Sequence, residues 1–233
     1  MFYYIALAGL LAFYLFSIPQ LKHLRNKKIT NAVFSVLIFA LYLAVVIRVY
    51  VSVGVNDWNF KNTLPVANVS PFMFTLVMLM HLLPRKIKKH FYLLISLLSV
   101  GMLLSSVFSC LYNGIINYSF HWHFLCDYLA HVLLSLYGVY LIKSGQVELN
   151  KKNALVSGAI IVGVAIFMLV LNVIFDTAFF GLSLNGKHSI YNVVLVESSY
   201  LSAFLYFLGL FGVLAMGYMY SRLIARKKEK SGL

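Results

Sequence analysis

Residues 91–113 read FYLLISLLSVGMLLSSVFSCLYN, an unbroken apolar run without a charged side chain. A helix needs about 20 such residues to cross the ~30 Å hydrocarbon core of a bilayer. Inside lipid, a helix satisfies its own backbone groups, which an isolated strand cannot do. Working outward from this run, six more stretches of the same kind occur. The full set covers approximately residues 2–19, 30–53, 66–84, 91–113, 121–142, 154–175 and 199–221. A closed β-barrel would need alternating segments of about 10 residues, and these runs are continuous. The sequence therefore predicts an all-α, polytopic membrane protein: one domain, a bundle of seven transmembrane helices.

Composition agrees. The chain is 62% hydrophobic and only 11% charged, with a mean hydropathy of +0.89. Soluble domains carry about 25% charged residues, so the surplus apolar surface calls for lipid. The net charge of +13 does not form the basic face or arm of a nucleic-acid binder, and no nucleic-acid partner is expected. Segments 22–28, 85–89, 143–152 and 222–230 hold all but three of the 19 Lys and Arg residues, the exceptions being Arg48, Lys61 and Lys187. Each basic segment follows an odd-numbered stretch. The positive-inside rule then predicts an N-terminus outside and a C-terminus in the cytoplasm of a cell membrane. Membrane lipids are the expected partners, with anionic headgroups at the basic cytoplasmic loops; composition leaves the oligomeric state open. No Lys or Arg precedes the first stretch, which reads as a retained helix and not a signal peptide. Cys110 and Cys126 lie inside apolar runs and give neither a disulfide framework nor a metal pattern. Two loops on the outer side are long, about 54–65 and 176–198, and the second is aromatic enough to pack back on the bundle. Trp58, Tyr118, Trp122 and Tyr191 fit an aromatic belt on that side.

Ionisable groups inside a membrane are costly and so become functional candidates. The sharpest set lies in FHWHFLCDYLAHVLL of the fifth stretch, where His123, Asp127 and His131 recur every four residues. That spacing stacks them on one helix face. At about 1.5 Å per residue from an entry near 121, Asp127 lies roughly 9 Å in and His131 roughly 15 Å in. A carboxylate one turn from an imidazole fixes its tautomer and stabilises its protonated form, as an acid–base pair requires; the same pair could also only cross-link helices. The third stretch opens LPVANVSPFMF. Asn68 and Ser70 stand at its outer end, at the estimated depth of Asp127, and Pro71 frees a carbonyl about a turn earlier. Ser70 is a nucleophile if a histidine reaches it, or a helix-start cap. Asn172 and Asp176 are one turn apart at the end of the sixth stretch, and Glu197 begins the seventh. These are either substrate contacts or helix caps and interface residues. Arg48 can snorkel outward or pair with one of these acids, and His188 can fold over the site from its loop. His121, His123, Asp127, His131 and His188 offer ligand atoms, but no HExxH motif or closed ligand set is present, so no metal is expected. No cofactor is implied; the seventh stretch has no lysine for a retinal Schiff base.

Three places in the chain resemble a known family: Leu64-Pro65 followed by Ser70, the Asp127-x-x-x-His131 stretch, and Leu171-Asn172 followed by Asp176-Thr177 with a long aromatic loop. They look like the YwaF-like seven-helix integral membrane proteins of bacteria, a family similar to eukaryotic membrane acyltransferases acting on lysophospholipids. The resemblance implies a histidine in the fifth helix, matched by His131, and a cysteine near the start of the third. Val69 and Ser70 stand there instead, so either Ser70 substitutes or lipid is bound without turnover. A lesser resemblance, Pro19-Gln20 before a basic loop, is to PQ-loop transporters, which carry that signature in two related halves; this chain has one copy.

The expected function is action on, or binding of, lipid acyl groups in an outer-facing intramembrane cavity. His131 is the expected base, Asp127 its orienting partner and Ser70 the nucleophile or oxyanion contact, with His123, Asn68, Asn172, Asp176, Arg48, His188 and Glu197 around the substrate. A small-solute or proton-coupled transporter is the alternative from another class, although no internal repeat is visible. A non-catalytic partner of an envelope assembly is the third reading.

Overall fold

The computed structural model describes residues 2–54, 61, 63–65, 68–116, 122–175, 180, 182 and 199–230. Seven α-helices run through them: α1 (Phe2–Gln20), α2 (Lys27–Val53), α3 (Val69–Leu79), α4 (Arg85–Ile116), α5 (Trp122–Lys143), α6 (Lys151–Phe175) and α7 (Ser199–Lys230). Short 3₁₀ turns continue α1 at Leu21–His23 and α3 at Met80–Leu82. Six of the helices are long and apolar enough to cross a membrane. Several begin or end beyond the apolar runs, because basic residues extend the helices past the hydrocarbon: α2 opens on Lys27 and α4 on Arg85.

Local chemistry sets the ends. Asn26 caps α2 by accepting the Ile29 N–H at 3.1 Å, and Asn150 caps α6 by accepting the Asn153 N–H at 2.8 Å. Gly145 ends α5 with φ of 69°. Its N–H donates to Ile142 O at 3.0 Å, and the next N–H, of Gln146, donates to Leu141 O at 3.0 Å, the paired closure that left-handed glycine permits. Within α2, the stretch AVVIRVYVSV is rich in β-branched residues that disfavour helix in water. In lipid the alternative is an unpaired backbone, so the helix persists.

The basic segments meet at one end of the bundle. Lys143 Nζ donates to Ile18 O at 2.7 Å, placing its charge on the carbonyl end of α1. Asn31 Nδ2 donates to Tyr92 Oη at 3.0 Å and to Gln146 Oε1 at 2.8 Å, tying α2, α4 and the α5–α6 connection together. The Ser35 hydroxyl gives its only proton to Asn31 O at 2.8 Å, so His81 Nε2, 2.8 Å from Ser35 Oγ, is the donor in that bond. At the opposite end Cys110 Sγ donates to Tyr3 O and Asn113 Nδ2 to Tyr128 Oη, linking α1, α4 and α5.

The centre of the bundle is α5, buried without interruption from Ala130 to Ile142. Its most extensive partner is α4. Ser96 Oγ donates to Gly138 O at 3.1 Å and Ser106 Oγ to Tyr128 O at 3.2 Å. Both pairs fall on one antiparallel register, which sets Leu103 opposite His131 with Met102 beside it. Small residues allow this approach, as is usual between membrane helices. A Cβ at Gly138 would stand 2.7 Å from Ser99 Cβ and 3.0 Å from Ile95 O, and one at Gly217 of α7 would collide with the Leu97 carbonyl of α4. Ser135, Tyr14 and Tyr220 then join α5, α1 and α7 through hydroxyl bonds of 3.2 and 3.1 Å.

The third stretch departs from expectation. Sequence length over 66–84 predicts a spanning helix, whereas the helical residues run only from Val69 to Leu82. At 1.5 Å per residue that is roughly 20 Å, about 10 Å short of the hydrocarbon thickness. Because Leu82 is followed by Pro84 and the basic start of α4, the deficit falls at the other end. Tyr42 Oη holds Thr63 O at 2.7 Å from the middle of α2, so the chain ahead of α3 also dips into the bundle. Pro71, expected to break a longer helix, occupies the first turn of a shorter one, where a missing N–H costs nothing.

The close α4–α5 approach makes a prediction. Gly138→Val should lower the melting temperature of detergent-purified protein by roughly 5 °C or more, from overpacking of about 1–3 kcal/mol. Gly163→Ala, at a position with nothing within 4 Å, should leave it unchanged. Equal melting of both variants and wild type would show that the register does not depend on Gly138.

Candidate functional site

His131 is 5% exposed, near the middle of α5. Its Nδ1 lies 2.8 Å from the backbone oxygen of Asp127, one turn earlier. A carbonyl oxygen can only accept, so Nδ1 carries a proton. Asp127 Oδ1 stands 3.6 Å from the same Nδ1, with its carboxylate about one-third exposed. Asp127 therefore meets the ring twice, through its backbone oxygen and through its carboxylate. Among the described residues, none forms a hydrogen bond with Nε2.

The opposing wall is α3. Phe74 meets the His131 ring edge-on, with centroids 5.0 Å apart, and Tyr42 backs Phe74 at 5.8 Å. Ser70 lies one turn before Phe74, on the same face of α3. Its hydroxyl donates to Met102 Sδ at 3.8 Å. Met102 in turn neighbours the position opposite His131, which lies roughly 14 Å along α5 from Trp122. Ser70 and His131 are not hydrogen-bonded to each other; a methionine sulfur receives the serine proton instead.

The other expected residues lie around this centre. His123 is one turn above Asp127, its ring 4.3 Å from that of Phe124 and 6.4 Å from that of Trp122. Asn68 immediately precedes α3 in extended conformation, φ −146° and ψ 161°. Asn172 is 2% exposed and donates its amide to Leu182 O, anchoring the segment after α6. Phe180 of that segment, buried and in the left-handed region at φ of 60°, packs on Phe72 of α3 at 5.6 Å. A bulky residue rarely adopts that conformation unless its surroundings hold it there. Phe180 thus packs beside the first turn of α3. Arg48 Nη1 donates to Ser52 Oγ at 2.6 Å, one turn further along α2. Asp176, His188 and Glu197, like His121, lie outside the described residues. Among the described residues no group of three His, Cys, Asp or Glu side chains could hold a metal ion. Phe74, Met102 and Tyr42 escape sequence reading, because apolar residues in apolar runs carry no marker of what they face.

Six long apolar helices packed into one bundle define a multi-pass integral membrane protein. Residues 1–220 match the TMEM164 family, and the chain belongs to it. No curated protein and no solved structure matches the chain.

The tautomer is measurable. In ¹⁵N-histidine-labelled protein, the resonances lost in His131→Gln should be those of a neutral ring protonated at Nδ1. A ring protonated at Nε2 would contradict the bond to Asp127 O.

Proposed function

We propose that this protein is a membrane enzyme acting on lipid acyl groups, with its basic end in the cytoplasm and its site opening toward the outer leaflet. The observation that carries this is His131: buried, its Nδ1–H held by the backbone oxygen of Asp127, and its ring packed against Phe74 of α3. That is the form a general base takes. The likeness of Asp127-x-x-x-His131 to YwaF-like proteins, and through them to lysophospholipid acyltransferases, favours an acyl ester as substrate.

A base so placed needs no protein nucleophile. Nε2 accepts the proton of an acceptor hydroxyl, on a lysophospholipid or water. The acceptor oxygen bonds to the ester carbonyl carbon, and the tetrahedral intermediate expels the original alkoxide. That alkoxide recovers the proton from His131, returning the ring to its starting state. Asp127 stabilises the imidazolium between the two transfers. On this reading Arg48, Asn68 and His123, with Asp176, His188 and Glu197 from the neighbouring loop, contact the lipid headgroup, while Asn172 supports the covering segment. The basic segments at the other end lie beside anionic headgroups of the inner leaflet.

Purified full-length protein, supplied with a lysophospholipid and a phospholipid donor, should transfer acyl chains. His131→Ala should lower kcat by about 10²–10⁴-fold, the usual contribution of a positioned base. Asp127→Asn should cost less, roughly tenfold, because the backbone oxygen still holds Nδ1 while a neutral amide stabilises the imidazolium poorly. Wild-type turnover in His131→Ala would remove the assignment.

A further inference from the structure

The polar cluster at the basic end of the bundle holds more hydrogen-bond donors than it uses. Tyr137 and Tyr140, one turn apart on α5, are both 0% exposed, and neither hydroxyl has a hydrogen-bond partner among the described residues. A buried hydroxyl left unpaired costs free energy, so each one calls for an explanation. Phe34 of α2 stacks on both rings, with centroids 5.1 Å from Tyr137 and 5.9 Å from Tyr140. Tyr92 of α4 meets the Tyr137 ring edge-on at 6.5 Å. Held in this way, the Tyr137 hydroxyl faces those of Ser35 and Tyr92 without bonding to either. The Tyr140 hydroxyl lies within electrostatic reach of both other phenols.

The acceptors beside them are engaged. Ser35 Oγ gives its proton to Asn31 O and accepts from His81 Nε2. Asn31 Oδ1 accepts from Gln146 Nε2 at 3.3 Å, and Gln146 Oε1 accepts from Asn31 Nδ2 at 2.8 Å. Asn31 Nδ2 also donates to Tyr92 Oη at 3.0 Å, which leaves Tyr92 its own proton to give. Three phenol O–H groups therefore remain as donors. Charge points the same way. Lys28 and Lys88 precede Asn31 and Tyr92 by about one helical turn, nearer the end of the bundle, and Lys88 Nζ donates to His81 O at 3.4 Å. Only two acids have described side chains. Asp127 lies toward the other end of α5, and Glu148 is exposed and bonded to Asn153. Surplus donors beside lysines favour an anion. Tyr137, Tyr140 and Ser35 are fully buried and Asn31 is 6% exposed, which favours a monatomic ion over sulfate or phosphate.

We infer that the Tyr92, Tyr137 and Tyr140 hydroxyls form a halide site, with chloride as its ligand, between α2, α4 and α5. The hydroxyls replace part of the ion's hydration shell, and the lysines offset the cost of placing a negative charge in a low dielectric. The site begins about 9 Å along α5 from His131 and does not rest on the acyl-transfer reading. Chloride bound there joins three helices and stabilises the fold by mass action.

Thermal melting of full-length protein in dodecylmaltoside, in sodium chloride against sodium gluconate at matched ionic strength, tests the site. Chloride at about tenfold above its Kd should raise the wild-type melting temperature by roughly 3–6 °C. Bromide should do the same, and sulfate and phosphate should not. Tyr137→Phe and Tyr140→Phe should each remove most of the chloride shift, together with the ³⁵Cl line broadening that wild type produces. In gluconate both variants should melt at or slightly above wild type, because phenylalanine buries no unpaired hydroxyl. A wild-type melting temperature indifferent to halide would overturn the site, as would a chloride shift that survives in both variants. An equal shift with sulfate would report screening of the lysines and overturn it too, and a shift with phosphate alone would mark an oxyanion site instead. Lower melting of both variants in gluconate, without any halide effect, would assign the hydroxyls to bound water. If one variant does not fold, the other decides.

Discussion

The α4–α5 contact is the interaction on which the other positions depend. Ser96 and Ser99 on one helix and Gly138 on the other let the backbones approach closely, and Ser96 and Ser106 pin the register with bonds to α5 carbonyls. Once that register is set, the depth of every α5 residue follows. His131 falls opposite Leu103, Met102 falls within reach of Ser70, and Phe74 closes on the imidazole. Burial of α5 on nearly all sides leaves His131 shielded from lipid and water. In that low dielectric a single oriented carboxylate has more effect than it would at a surface.

A second constraint acts where α3 begins. Backbone groups at membrane depth have to be paired, line a cavity or be covered by protein. Ahead of α3, Thr63 O is held by Tyr42; after α6, Phe180 packs on Phe72 of α3 and Leu182 O accepts from Asn172. The TMEM164 family membership states what kind of protein this is; the chemistry has to come from the residues.

Much of this was legible in the sequence, for identifiable reasons. Length of apolar run is a strong signal in lipid, so the helices were readable, and the four-residue spacing of Asp127 and His131 survives directly as a ring held one turn down its own helix. The depth of α3 was not readable. Residues 66–84 contain enough apolar residues to span, and nothing in LPVANVSPFMF says that the helix waits until Val69. Pro71, expected to free a carbonyl about a turn earlier, is part of the first turn of a shorter helix. The Ser70 proton goes to Met102, a partner that only the α4–α5 register reveals.

The central claim is that α3 starts inside the membrane, level with His131. Spin-label depth measurement in bilayers tests it most directly, using single labels at Ser70→Cys and Trp122→Cys in a background lacking Cys110 and Cys126. Accessibility to oxygen relative to a water-soluble nickel chelate should place the label at 70 roughly 14 Å deeper than the one at 122, from nine residues of helix at about 1.5 Å each. Equal depth at the two positions would put α3 at the membrane surface and contradict the account.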